Sequence, residues 1–551
     1  MAALAVILVT LFCTFLFYHR LADRDLWSSH EARAAQNSQR MLDDREWLLP
    51  RLFDGHLDMQ KPPLYYWLVA AIGGLQGGSV NAWAVRLPAA FSATFVVFSV
   101  WWTLYRRGRP LAGIIAALIL ATSHHFTWLA RTGRIDMVLS FTVAAAILIH
   151  AFWQRGHVLA YLMIAAGLLL KGPIGLVLPV AAIVIDSGVK WKLRSREFPK
   201  TSPEGAAVSC QGRQPLETSV RKDQPRRGEE TITLPGLLKR RTHSSGVRSS
   251  LLTFAPSGLA KASASLLWGV PLALLLAAPW FLLANQRTHG QFFRVFFVHH
   301  NIDRALGTSE DLAVHPWWFY GLRWLVDILP WSPFLLFGGF WFIRSKLWRY
   351  DGEARVGFVW MLAVTLVLSC AQFKRADYLL PAYPGFAIFL GCLAERTWNI
   401  VNLRLRRTAA FGFAGVLAAV VGFWLFIVHV QIPRNESFHE QQTFAREIRR
   451  QAPAPQTVLF FRVEAHALAF HLGRPLNTFL EWENLDVWAG RPGVHYIVMS
   501  PQSAAEWPEH VHSGTLEEVC RNTDWSGGRH EKPLVLMRTR PKAELHAASR
   551  Q

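Results

Sequence analysis

The sequence predicts a mainly α-helical, polytopic membrane protein that carries a small C-terminal α/β domain outside the bilayer. Apolar runs of roughly 18 to 22 residues recur along the chain, each long enough to cross about 30 Å of hydrocarbon. Only 17% of the 551 residues are charged while 52% are apolar, and soluble domains carry about 25% charge. That deficit excludes a soluble enzyme and a disordered chain alike. The last stretch, roughly 120 residues, breaks the pattern, because short strand-like runs replace the long apolar ones.

Hydropathy places spans near residues 2–18, 81–104, 111–129, 137–154, 157–170, 173–186, 266–285, 319–343, 356–373, 378–394 and 409–430, about eleven crossings in all. The run from Ala2 to Tyr18 has no basic residue ahead of it and no small-residue cleavage pattern. It reads as a retained first span, not a signal peptide.

Basic residues cluster at Arg106, Arg107 and Arg109, through the stretch 187–265, at Arg344, Lys346, Arg349 and Arg355, and from Arg396 to Arg407. Placing these loops in the cytoplasm makes every alternation consistent. Residues 19–80, 130–136, 171–172, 286–318, 374–377 and everything after 431 then lie on the far side. The net charge of +20 is loop charge of a membrane protein, so no nucleic-acid partner is expected.

The chain divides accordingly. Residues 1–186 form an N-terminal membrane half with the catalytic machinery and the outer loop 19–80. Residues 187–265 are rich in Ser, Pro, Gly, Arg and Lys, a composition that cannot bury enough apolar surface to order itself, and form a disordered basic insertion in the cytoplasm. Residues 266–430 are the second membrane half, and 431–551 the extracytoplasmic domain. In that domain, strand-like runs occur at 458–461, 494–499 and 534–537, with a helix-like segment at 464–472. The five cysteines offer neither a disulfide framework nor a CxxC metal motif.

Charges that defy this topology point to a site. Arg33, Lys61, Arg131, Arg134, Lys171, Arg304, Lys374 and Arg375 all fall beside the non-cytoplasmic loops, where Arg and Lys are normally scarce. A ring of guanidinium and ammonium groups at the outer interface suits a phosphate carried on a lipid; snorkelling to headgroups is the ordinary alternative. Glu31 and Asp136 are the carboxylates best placed to take a proton from an acceptor. Each also has a structural reading: Ser28 as N-cap makes Glu31 the third residue of a capping box, and Asp136 is placed to cap the span it opens.

His299-His300 precede Asn301-Ile302-Asp303-Arg304, and adjacent histidines can titrate near neutrality or ligate a metal. A divalent metal is therefore possible, though no cofactor is required. Gly-rich phosphate loops, GxSxG elbows and HExxH are absent, which argues against a nucleotide-driven pump.

Glu31-Ala32-Arg33, Gln60-Lys61-Pro62-Pro63-Leu64-Tyr65-Tyr66-Trp67 and Arg86-Leu87-Pro88 occur in order, followed by Arg131 through Asp136, Lys171-Gly172-Pro173, His300 through Arg304, and Lys374 with Tyr378-Leu379-Leu380-Pro381. This series resembles the bacterial transferases of the aminoarabinose-to-lipid-A and protein O-mannosyltransferase superfamily. The resemblance implies a GT-C fold and transfer of a sugar from a polyprenyl-phosphate donor to a lipid or protein acceptor on the non-cytoplasmic face. It implies a base in the acidic pair after the first span and a donor phosphate near Lys61. Two departures stand out: His30-Glu31 replaces the Asp-Glu common in the family, and Gln60-Lys61 replaces the Glu-Lys of aminoarabinose transferases.

The expectation is thus an inverting glycosyltransferase of the bacterial inner membrane, working among membrane lipids with its active site on the periplasmic side. Glu31 is the expected base and Asp136 its rival. Arg33, Lys61, Arg131, Arg134, Lys171, His300, Arg304, Lys374 and Tyr378 are the expected substrate-binding residues. The competing class is a lipid-linked sugar flippase or a non-catalytic assembly protein. A flippase should carry charges deep within its spans and show inverted repeats.

Overall fold

The structure is a computed structural model that describes residues 2–153, 155–197, 258–308, 314–473, 476–522 and 533–541. Most of the expected basic insertion lies outside the described residues. Its edges continue the flanking helices, which reach Glu197 on one side and begin at Gly258 on the other.

The first ten helices are α1 (Ala2–Cys13), α2 (Ser29–Asp44), α3 (Leu64–Leu75), α4 (Ala82–Arg106), α5 (Pro110–Ala121), α6 (His124–Ala130), α7 (Ile135–Phe152), α8 (His157–Lys171), α9 (Ile174–Glu197) and α10 (Gly258–Arg287). Among the described residues, seven helices are long and apolar enough to cross a membrane: α4, α7, α9, α10, Gly352–Ser369, Ala376–Ile400 and the long Leu403–Gln451. Two bent pairs, α5 with α6 at 69° and Phe319–Asp327 with Ser332–Arg344 at 119°, raise the total to nine if each counts as one span. Shorter apolar helices at Ala2–Tyr18 and His157–Lys171 match two more of the predicted runs. The chain is a multi-pass membrane protein. Helix α3 was not predicted: at 12 residues it rises only about 18 Å, too little to span.

Ion pairs gather the basic loops at one end of the bundle. Arg109 donates to Asp351 at 2.7 Å and Glu395 at 2.6 Å, and Arg107 to Glu353 at 2.9 Å. The opposite end brings together the loops before α2 and α3, the α6–α7 and α8–α9 turns, and the segments 294–308 and 370–382.

The C-terminal domain stands at that second end. Its strands β1 (Val458–Phe461), β2 (Leu476–Phe479), β3 (His495–Met499), β4 (Glu517–Arg521) and β5 (Val535–Thr539) lie in the order β2-β1-β3-β5-β4. β1 is parallel to both β2 and β3, while β5 is antiparallel to β3 and β4. Side chains alternate across the sheet: Val458, Phe460, Tyr496 and Val498 enter one core, and Leu459, Phe461, Ile497 and Met499 the other. The two unpredicted strands, β2 and β4, are the edges. Edge strands bury little, so their sequences lack the apolar runs that mark β1, β3 and β5.

Hydrogen bonds fasten this domain to the outer loop. Gln36 Nε2 donates to the His466 carbonyl at 2.8 Å, Thr478 Oγ1 to Asp54 at 2.8 Å, and His471 Nε2 meets Asp25 at 2.7 Å.

Candidate active site

Helix α2 starts where Ser28 Oγ accepts from the Glu31 amide at 3.2 Å, which is half of the capping box. The Glu31 side chain goes elsewhere. Successive helical residues are about 100° apart around the axis, so His30, Arg33 and Ala34 face a cavity while Glu31 points into the protein.

Glu31 is fully buried and gripped from three sides. Arg24 donates at 2.9 and 3.1 Å, Arg86 at 2.8 and 3.3 Å, and the Gly133 amide at 2.9 Å. Burial alone would raise its pKa, but Arg24 and Arg86 hold the carboxylate ionised, below the ordinary range. Gly133 has to be glycine here, because a Cβ would sit 2.3 Å from Val85 Cγ1. The expected base therefore does not reach the cavity. Its two arginine partners, one seven residues upstream and one in α4, could not be inferred from spacing.

Two adjoining cavities of about 140 Å³ each open at this end of the bundle. They share Lys61, Asp136, Lys171, Arg304, Phe373 and Tyr378. The first is walled by Leu139, Ile174, Leu178, Leu368 and Pro381, with His300, Asn301 and Tyr320 at its polar end. The second is lined by His30, Arg33, Gln60, Tyr65, Tyr66, Arg134, Arg375 and Asp377.

Asp136 lies on the seam. It does not cap its helix, whose N-cap is Arg134; Lys171 Nζ instead meets Asp136 Oδ1 at 2.5 Å. Lys171 also stands 3.8 Å from the centre of the Tyr378 ring, a cation–π contact. The following Gly172 makes the turn into α9 with φ +67, and a Cβ there would lie 2.5 Å from the Phe296 ring. No other residue fits both the dihedral and the space.

Two loops bring further charge. Arg33 pairs with Asp58 at 2.5 Å and donates to Gln60 at 2.7 Å, and Asn37 braces the other Asp58 oxygen at 2.8 Å. Arg134 pairs with Asp377, whose second oxygen lies 3.4 Å from His125 Nε2. His125 Nδ1 in turn is 3.0 Å from the Tyr383 hydroxyl. Asp377 escaped the sequence reading although it stands two residues beyond Arg375 in the same short outer loop. That proximity was the available signal.

The field of the site is strongly positive. Burial, with Lys171 and Arg304 nearby, pulls the Lys61 ammonium down to about 7. Burial, with Arg134 and Arg375, lowers His30 to about 3, and burial with Arg304 and Lys61 lowers His300 to about 3. Both imidazoles are therefore neutral at physiological pH. Among the described residues, Arg134 Nε, His300 Nδ1 and Arg304 Nε are buried without a hydrogen-bond partner. Unmatched donors in a positive cavity are suited to an anion.

Of the expected binding residues, Arg33, Lys61, Arg134, Lys171, His300, Arg304 and Tyr378 meet at these cavities. Two do not. Arg131 turns back to donate to the carbonyls of Leu16 at 3.0 Å and His19 at 2.7 Å, closing the end of the first helix. Lys374 donates to the carbonyls of His315 and Ala371, and its neighbour Arg375 lines the cavity instead. Among the described residues, no group of three or more His, Cys, Asp and Glu side chains could hold a metal ion. His299 leans toward Asp303 at 3.7 Å, which is no ligand set.

A family profile described as dolichyl-phosphate-mannose-protein mannosyltransferase matches residues 60–200, the segment containing Lys61, Asp136 and Lys171. Over 450 residues the chain is 24% identical to the undecaprenyl phosphate-alpha-4-amino-4-deoxy-L-arabinose arabinosyl transferase of Pectobacterium atrosepticum, covering 78% of this chain and 66% of that protein. It is 26% identical over 443 residues to a protein of the same description from Pseudomonas fluorescens, covering 76% and 64%. The chain thus spans just under two thirds of the length of these relatives. Among solved structures it is similar to ArnT from Cupriavidus metallidurans bound to undecaprenyl phosphate. The TM-score is 0.67 at 17% identity, over 96% of this chain and 97% of that one. This last likeness is one of fold.

Proposed function

We propose that this chain, a member of the GT-C glycosyltransferase superfamily, moves a sugar from a polyprenyl-phosphate donor to a lipid or protein acceptor. The setting proposed is the bacterial inner membrane, with the reaction on its periplasmic side. One observation carries the reading: Lys61, Lys171 and Arg304 border both cavities together with Asp136. A phosphate held there has an apolar wall on one side for its prenyl chain and a polar chamber on the other for its sugar. The undecaprenyl phosphate named for the solved ArnT complex is a ligand of this chemistry.

In the proposed step, the donor phosphate meets Lys61, Lys171 and Arg304, which stabilise the negative charge that grows as the C–O bond to the sugar breaks. Lys171 then shares its charge with the phosphate, and Asp136 becomes the base that takes the acceptor's proton. A single displacement inverts the anomeric carbon and needs one base. Asp377, fixed by Arg134 and His125, is the second carboxylate of the chamber and orients the acceptor. Glu31 serves as a buried brace. His30 is a neutral polar wall of the chamber.

The charges of the site lie at one end of the bundle, which favours a transferase over a flippase. The decisive assay supplies purified protein in lipid with radiolabelled polyprenyl-phosphate sugars and membrane extract. Label entering a lipid or protein fraction, and lost in Asp136→Asn, supports the proposal; tight binding with no transfer from any donor overturns it.

A further inference from the structure

The polar chamber carries a charge that its own carboxylates leave unbalanced. Arg33 is neutralised by Asp58 at 2.5 Å, and Lys171 by Asp136 at 2.5 Å. Arg134 pairs with Asp377 Oδ2. Arg375 is left over: among the described residues, the carboxylate near its guanidinium is that same Asp377 oxygen, 3.5 Å away and already engaged. The other Asp377 oxygen faces His125. The Arg375 side chain is 38% exposed and lines the chamber, as does Arg134, whose Nε has no acceptor among the described residues. A phosphodiester brings one negative charge to Lys61 and Arg304, so Arg375 stays uncompensated when it binds.

Nothing else in the chamber supplies the missing charge. Gln60, Tyr65 and Tyr66 are neutral, and Gln60 Oε1 and the two hydroxyls are taken up by Arg33, the Val85 carbonyl and Asp58. His30 titrates at about 3, first because it is buried and then because Arg134 and Arg375 are close, so both guanidiniums act on the space that His30 faces. An ammonium group there meets repulsion, which discriminates as effectively as attraction does. A hydroxyl gains an ordinary hydrogen bond, whereas a carboxylate matches the guanidinium fork and its charge.

We propose that the sugar on the donor carries a carboxylate, making the donor a polyprenyl-phosphate uronate, and that Arg375 reads this group with Arg134 beside it. This rests on the transferase reading above for the presence of a sugar in the chamber. The backbone keeps Arg375 close to the phosphate site: its carbonyl accepts from the Tyr378 amide at 3.2 Å, and the Tyr378 ring lies 3.8 Å from Lys171 Nζ. One tight turn thus separates the phosphate from the unbalanced charge, a step suited to a substituent on the sugar that the phosphate bears. An anion on the acceptor has the same chemistry, and binding measured without acceptor separates the two.

The experiment uses the full chain in phosphatidylcholine nanodiscs with short-chain polyprenyl phosphates bearing a hexuronate, the parent hexose or its 6-amino-6-deoxy form, in the gluco and galacto series. Bare polyprenyl phosphate reports the phosphate site on the same samples. In at least one series the carboxylate form should bind about tenfold tighter than the hydroxyl form, and the ammonium form weakest. The advantage should shrink as salt rises, a test that needs no variant. Arg375→Gln should abolish it and Arg375→Lys keep part of it. Equal affinity for the carboxylate and hydroxyl forms, preference for the ammonium form, or an advantage retained in Arg375→Gln overturns this inference alone; failure of bare polyprenyl phosphate to bind removes the transferase reading too. If the uronate shows no advantage while a sugar phosphate binds to protein already holding bare polyprenyl phosphate, and Arg375→Gln weakens that binding, the anion belongs to the acceptor and the inference falls.

Discussion

Lys171 Nζ and Asp136 Oδ1 stand 2.5 Å apart at the seam between two cavities, so a phosphate that reaches the lysine must loosen the carboxylate. Asp136→Asn should cut turnover by about 10²–10⁴-fold while donor affinity stays close to normal. Lys171→Met should chiefly weaken the donor. Separate measurements of polyprenyl-phosphate binding and single-turnover transfer check this. A reversed pattern would remove Asp136 from the proton-transfer role.

Replacing Glu31 tests whether it acts as brace or base. Glu31→Gln strands the buried guanidiniums of Arg24 and Arg86, and such a loss costs on the order of 3–5 kcal/mol. Thermal unfolding of the variant in lipid should therefore shift strongly downward, with activity lost alongside the fold. An unshifted transition with abolished turnover would show that Glu31 does chemistry after all.

Lys61 gives the site a pH response with a defined sign. Its pKa lies at about 7 in the free protein, and only the ammonium form attracts phosphate. Affinity for a phosphodiester donor should be level at acidic pH and fall as pH rises through 7, approaching about tenfold per unit well above it. Binding above pH 7 should take up a proton, measurable by calorimetry in buffers of different ionisation enthalpy. Lys61→Arg should flatten the profile, and a profile that remains steep would sink this assignment.

Gly172→Ala forces a Cβ into the left-handed region and against Phe296. The strain should cost about 1–3 kcal/mol and displace Lys171, lowering donor affinity more than a conservative change within α9. Parallel melting curves and donor titrations distinguish the two effects.

The helical membrane fold is legible in the sequence because bilayer spans must be long and apolar, a constraint that acts locally. What escapes is whatever depends on partners distant in the chain. Helix α3 is apolar yet short, so it merges with the outer loop in a hydropathy reading. β2 and β4 are edges whose residues read as loop. Within the candidate site, Arg33, Lys61, Arg134, Lys171 and Arg304 are legible because basic charge at a span boundary is conspicuous, Asp136 because it is an acid beside them, His300 because it follows a second histidine, and Tyr378 through the resemblance alone. Orientation is not: Glu31 and His30 are neighbours on one helix, and only the positions of Arg24 and Arg86 decide which one turns inward. Arg131 and Lys374 are equally conspicuous as charges, but Arg131 is spent on backbone carbonyls at the end of the first helix and Lys374 on those of His315 and Ala371.

The opposed bearings of His30 and Glu31 make α2 separable by design. A change at position 30 alters what a substrate meets, and one at position 31 alters what keeps the loop, α4 and the α6–α7 turn in register. The side of α2 that faces the cavity can thus change without reworking its scaffold, so position 30 is a place to alter the chamber while the network around Glu31 stays intact.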